Sequence, residues 1–306
     1  MCLCTQPIRD PAVAGPLAEL DVAGALVSLL RSSDGGLLHS VVVSLTRLAI
    51  DDGNRRTLCR LDPIDPLLAH LREGEHNLRM AAAELLLLLA RERRTRDDIR
   101  AANGAALFLS LVSSEGARAV TLAALHLLCG LAREPEAGRD VRLLGGLPLL
   151  VGHLVRCCST GGEQEEEQES EEAEDERGKR SGPGSDQIAE VLCTLLGKLA
   201  LEDESAYQLR QANAVHSLCC LAHKCAARCR SSSSSSSGGE SSGTSDSSSS
   251  GSVLRVEALC FRALRTLYAC VRNRRMFDRL WPSALLVVRN QNAVWFSLLK
   301  FSLCNM

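Results

Sequence analysis

The chain has 306 residues, 45% apolar but only 3% aromatic, with 35 Lys and Arg against 37 Asp and Glu for a formal net charge of -2. Leu and Ala dominate, which argues against β-sandwiches and barrels and for an all-α fold, and the balanced charge gives no global reason to expect nucleic acid. Ten acidic residues and no basic one fall within 163–176, which leaves the rest of the chain at +8.

Residues 1–16 form an irregular N-terminus. The start Met1-Cys2-Leu3-Cys4 lacks the basic and apolar regions of a signal peptide, and no Asn-x-Ser/Thr acceptor occurs. The longest apolar stretch, 81–90, is too short to span a bilayer and carries Glu84. The fourteen cysteines are therefore expected to be reduced, in a cytoplasmic or nuclear protein, with no membrane partner.

A repeat governs residues 17–282. Leu-x-x-Leu followed by Ala or Tyr ends at Ala49, Ala90, Ala132, Ala200 and Tyr268, in steps of 41, 42, 68 and 68 residues. Ten residues after each second Leu stands Leu58, Ile99, Val141, Leu209 or Phe277. A third column opens a segment at Asp62-Pro63, Asn103-Gly104, Gly145-Gly146, Asn213-Ala214 and Trp281-Pro282, in the same steps. The two long steps contain insertions, an acidic one at 161–185 and a Ser-rich one at 231–252, so the underlying unit is about 42 residues. Within a unit, a short helix such as 96–102 reaches a Gly or Pro break. A second helix such as 105–112 follows, then a longer third helix such as 118–132. Leu122, Leu125, Leu128, Cys129 and Leu131 give that third helix one broad apolar face. No unit closes its own core, so the expected fold is a right-handed α-solenoid of about five units with a groove lined by third helices.

Gly145-Gly146-Leu147-Pro148, the Leu-x-x-Leu-Ala helix ends, Asn54-Arg55 and Asn273-Arg274 make the chain resemble armadillo repeats. A closer likeness lies in Phe261-Arg262-Ala263-Leu264-Arg265, Asn273-Arg274, Phe277, Arg279-Leu280 and Pro282, together with Arg133-Glu134-Pro135-Glu136 and the positions of both insertions. These resemble the armadillo region that precedes the catalytic domain in a NIMA-related serine/threonine protein kinase. The resemblance implies a regulatory role in cell-cycle or ciliary signalling, a ciliary location beside the cytoplasmic or nuclear one, and a kinase domain in cis as partner. The alternative is a stand-alone armadillo adaptor. No glycine-rich phosphate loop, His-Arg-Asp loop or Asp-Phe-Gly motif occurs, so this chain is not expected to be an enzyme. Residues 283–306 are an apolar tail of uncertain standing, either a capping helix or an alternative end.

Two third-helix columns are expected to face the groove. One holds Arg47, Leu88, Gly130, Lys198 and Thr266, the other Val43, Glu84, His126, Thr194 and Arg262. Nuclear-import armadillo proteins carry a ladder of Trp and Asn in such columns for basic peptides, and neither residue is present here. Arg47, Glu84, His126, Lys198 and Arg262 are the candidate partner-binding residues, and the three cations favour an extended acidic or phosphorylated protein segment. Ser170, within the acidic insertion, is the candidate phosphorylation residue. Deleting 161–185 is expected to strengthen binding of acidic partners.

His216, Cys219, Cys220, His223, Cys225 and Cys229 offer zinc-type ligands. They fall on a second helix, where Cys serves as a small hydrophobe, and no CxxC pair exists, so neither metal nor cofactor is expected. Cys157-Cys158 form a helix-end pair expected to be prone to oxidation. Gly239-Glu240-Ser241-Ser242-Gly243 matches the nucleophile elbow only in letters, because it lies in a serine tract with no strand before it.

Overall fold

The computed structural model describes residues 22–159 (except 33 and 115–116), 185–234, 247–270 and 273. The insertions, apart from their helical ends, the N-terminal 21 residues and the tail lie outside the described residues, and Ser170, Gly239 to Gly243 and Phe277 to Pro282 lie there with them. Every regular element among the described residues is an α-helix. In chain order they are α1 (Val22–Leu29), α2 (Gly35–Leu48), α3 (Asp52–Leu58), α4 (Ile64–Glu73), α5 (His76–Leu89), α6 (Arg93–Ala101) and α7 (Gly104–Ser113). After these come α8 (Arg118–Leu131), α9 (Pro135–Leu143), α10 (Gly146–Ser159), α11 (Ser185–Leu199), α12 (Asp203–Gln211), α13 (Ala214–Ser234) and α14 (Ser247–Ala269). Among the described residues no single helix is long and apolar enough to cross a membrane.

The repeat read from the sequence is this helix order. The five Leu-x-x-Leu ends fall in the last turns of α2, α5, α8, α11 and α14, the third helices. The acidic insertion separates α10 from α11, and the Ser-rich one separates α13 from α14. Helical backbone continues into both insertions, since Ser185 opens α11, α13 runs to Ser234 and α14 starts at Ser247. The chain divides into two compact units, residues 1–137 and 138–306.

In the first unit α2, α5 and α8 pack side by side, and α4 and α7 pack against α5 and α8 respectively. Covered on several sides, α5 buries Leu78, Ala81, Ala82, Ala83, Leu85, Leu86 and Leu89, and α8 buries Val120, Thr121, Ala123, Ala124, Leu125, Leu127, Leu128 and Leu131. In the second unit α14 packs on α11 and α13, and α10 on α13. A Cβ added at Gly197 would lie 3.6 Å from the Ala263 Cα, so α11 and α14 approach closely there.

The third sequence column has a backbone cause. Asp62, Asn103, Gly145 and Asn213 have φ of 49°, 56°, 70° and 64°, the left-handed region, between the first and second helices of each unit. Gly, Asn and Asp adopt that conformation most readily, which is why the column contains no other residue type at these four positions.

The junctions between successive units carry a second regularity. Arg55 on α3 donates from Nε to Glu92, the residue before α6, at 3.2 Å, and from Nη1 to the carbonyl of Ala49 at 3.3 Å. Arg96 on α6 repeats this with Glu134, the residue before α9, and with the carbonyls of Ala90 and Arg91 at 3.0 and 2.9 Å. The guanidinium thus satisfies the open carbonyls at the end of a third helix and binds the carboxylate that starts the next unit. In the second unit Gly138 occupies the equivalent arginine position, and Arg142, one turn later, reaches Glu202 at 3.1 and 3.4 Å.

Candidate functional site

The third helices place the sequence-predicted residues as two sets. In the first unit Arg47 ends α2, Glu84 lies on α5 and His126 on α8; all three are exposed on helices that pack against one another. Half-buried Val43, Leu88, Leu122 and Gly130 come from the same three helices. In the second unit Lys198 is half-buried in the last turn of α11, and Arg262 is exposed on the adjoining α14. Exposed Arg265, one turn beyond Arg262, adds a basic residue that the column pattern did not single out. Its signal was the i, i+3 spacing from Arg262. Arg47 and Lys198 also stand in the last turns of their helices, where a cation is favoured by the helix dipole.

The acidic partners of the junction arginines are tuned by them. Hydrogen bonding from Arg96 holds Glu134 below the usual carboxylate range. Burial pushes Glu202 up, but hydrogen bonds from Ser205 and Arg142 outweigh it, and the net shift is downward. Asp52 is lowered by its hydrogen bond from Arg55. Asp51, Glu92, Glu134 and Glu202 recur at steps of 41, 42 and 68, so this column was present in the sequence. It went unread because a Glu before a helix ordinarily signals only a capping position. Of the four, Asp51 does cap its helix, accepting from the Asn54 amide at 2.9 Å, whereas Glu92 and Glu202 make no side-chain cap and turn to arginines instead.

The cysteine and histidine cluster belongs to the packing of α13. Cys219 and Cys225 are in the core, and burial pushes both thiols up to about 12. His216 and His223 are exposed, with Cys220 Sγ 3.5 Å from His216 Nε2. The Cys229 side chain lies outside the described residues. Among the described residues no three His, Cys, Asp or Glu side chains converge as a metal ion would require. Cys158, expected to be readily oxidised, is instead held as a thiol: burial pushes it to about 12, and its Sγ donates to the Ser217 carbonyl at 3.4 Å.

No protein-family model matches the chain, and no curated protein matches it. Solved structures do. An engineered protein aligns at 16% identity with a TM-score of 0.60, over 92% of this chain and 95% of that one. A designed armadillo repeat protein in complex with the peptide (KR)4 aligns at 14% identity with a TM-score of 0.55, over 82% and 85%. A structure described as a conserved phosphorylation switch controlling the interaction between cadherin and β-catenin aligns at 13% identity with a TM-score of 0.60, over 97% of this chain and 50% of that one. Together with the three-helix units, the left-handed breaks and the stacked third helices, this likeness gives the chain the armadillo-repeat fold, an all-α architecture of the solenoid class.

Proposed function

We propose that the chain is a non-catalytic protein-interaction and regulatory module that holds an extended acidic or phosphorylated protein segment against the exposed faces of its third helices. The observation that carries this reading is the placement of Arg47 and Arg262 on exposed third-helix positions, with Lys198 half-buried beside Arg262's helix. Within each unit, third helices packed side by side present side chains at repeating intervals, which suits an extended strand rather than a compact ligand. An armadillo relative of the fold binds an alternating Lys-Arg peptide, and the cations here call for the opposite charge. Glu84 and His126 would set the register by repelling or accepting individual charges. The test is capture of phosphoserine-containing and acidic peptides from an array by the intact chain. Changing Arg47, Lys198 and Arg262 together to Glu should abolish capture and leave the helical circular-dichroism signal intact, each exposed substitution shifting stability by about 0.5 kcal/mol or less. Equal capture by the triple variant refutes the reading.

The finer reading is that this module regulates a NIMA-related serine/threonine kinase, with the kinase domain in cis as one partner. It is favoured by the run Phe261-Arg262-Ala263-Leu264-Arg265 with Asn273-Arg274, and by where the two insertions fall. An antibody against 161–185 reads the mass of the endogenous protein. A band far above 32.9 kDa supports the kinase reading, and a band at 32.9 kDa supports a stand-alone adaptor.

A further inference from the structure

We propose that Cys193 and Cys260 form a redox-sensitive cross-link that fastens α11 to α14. Their Sγ atoms lie 3.5 Å apart, across the interface of two helices separated in the chain by α12, α13 and the Ser-rich insertion. Both side chains are buried, with 1% and 0% of their surface exposed. Small residues bring the backbones together beside them: Gly197, one turn after Cys193, sits against Ala263, one turn after Cys260. This is a fixed, facing thiol pair at a close helix crossing, on helices distant in sequence.

With hydrogen peroxide as oxidant the chemistry balances. One thiol loses its proton, and its sulfur attacks a peroxide oxygen. The O–O bond breaks, hydroxide leaves and takes up the proton as water, and a sulfenic acid remains. The second sulfur attacks the sulfenic sulfur, the S–O bond breaks, and a second water leaves. Two thiols and one peroxide give one disulfide and two waters. The step is slow in the resting protein. The hydrogen bond with Cys193 and burial push the Cys260 thiol far up, and Glu257 on the same helix opposes its ionisation further. The other titratable groups near it are Cys158 on α10 and Cys219 and Cys225 on α13. Peroxide therefore gains the pair during opening of the α11–α14 contact, and the link then holds that contact shut. Because α11 carries Lys198 and α14 carries Arg262, the oxidised form fixes the spacing of these two cations; the cross-link itself does not depend on the partner reading.

The experiment treats the intact chain with hydrogen peroxide, quenches free thiols with an alkylating agent and maps linked peptides by mass spectrometry without reduction. The expected result is a peptide pair joining Cys193 to Cys260, two hydrogens lighter than its reduced counterpart, regenerated on reduction and accompanied by a higher melting temperature. Cys260→Ala should lose both the linked pair and the temperature shift. If Cys260→Ala does not fold, Cys193→Ser supplies the same control. Linkage confined to other pairs, such as Cys219 with Cys260, or oxidation of Cys157 and Cys220 with Cys193 and Cys260 still alkylated, overturns the proposal.

Discussion

Arg96 and Glu134 form an ion pair at 2.5 Å, reinforced by the second bond from Arg96 Nε, with the arginine side chain 10% and the glutamate side chain 17% exposed. The same guanidinium caps the open carbonyls of Ala90 and Arg91, so a single side chain completes α5, anchors α6 and fixes the start of α9. Arg96→Ala should therefore lower unfolding stability by about 1 to 3 kcal/mol, because it leaves the Ala90 and Arg91 carbonyls without their donor. Lys at this position should recover only part of that, since an ammonium cannot reproduce the planar fork. Urea denaturation of the two variants beside the parent checks both statements.

The pair also sets an acid dependence. Glu134 titrates below the ordinary range in the folded chain and returns to about 4.3 when unfolded. The unfolded chain thus takes up the proton first, the stabilisation is complete above that unfolded value, and it is lost as pH falls toward the lower folded one. Glu134→Gln should be less stable than the parent near neutrality, and the gap should narrow as pH falls below the unfolded value of about 4.3 toward the lower folded one. Urea midpoints measured across that range would show a constant gap if the carboxylate were irrelevant.

The arginine and glutamate ladder stops at the last described junction. Cys270 stands where Glu202 stands one unit earlier, and Arg210, one 68-residue step after Arg142, has a buried Nε without a partner and stacks on Tyr207 at 4.8 Å. Cys270→Glu should give Arg210 its missing acceptor and raise the melting temperature relative to Cys270→Gln, which has the shape without the charge. A lower melting temperature for Glu than for Gln would mean that the carboxylate is buried unpaired.

Gly145 isolates the cost of the left-handed break. Its φ is 70°, and a Cβ there would meet nothing within 4 Å, so substitution tests the backbone alone. Gly145→Ala should cost about 1 kcal/mol, and Gly145→Asn distinctly less, since Asn occupies the equivalent position at 103 and 213. Denaturant midpoints of the two variants decide it.

Much of the fold was legible because a repeat multiplies weak signals. The Leu-x-x-Leu-Ala column marked the ends of third helices because each must bury the same stripe and end at the same carbonyls. The Asp62, Asn103, Gly145 and Asn213 column marked a φ that few residues tolerate. Arg47, Glu84, His126 and Arg262 are exposed and Lys198 is half-buried, a difference that the column pattern does not distinguish. The junction pairs were legible only as a recurring acidic column, since nothing local links it to an arginine 38 positions away.

The sequence by itself determined the unit length, the three-helix order and the places of the insertions, because these follow from local periodicity and from backbone preferences that each residue carries with it. Tertiary structure alone decided which charges meet. Arg142 meets Glu202 where Gly138 stands at the position of Arg55 and Arg96, because it lies one helical turn further along the same helix. It also decided that Cys193 faces Cys260, because the approach of α11 and α14 at Gly197 depends on packing between residues that the sequence keeps more than sixty positions apart.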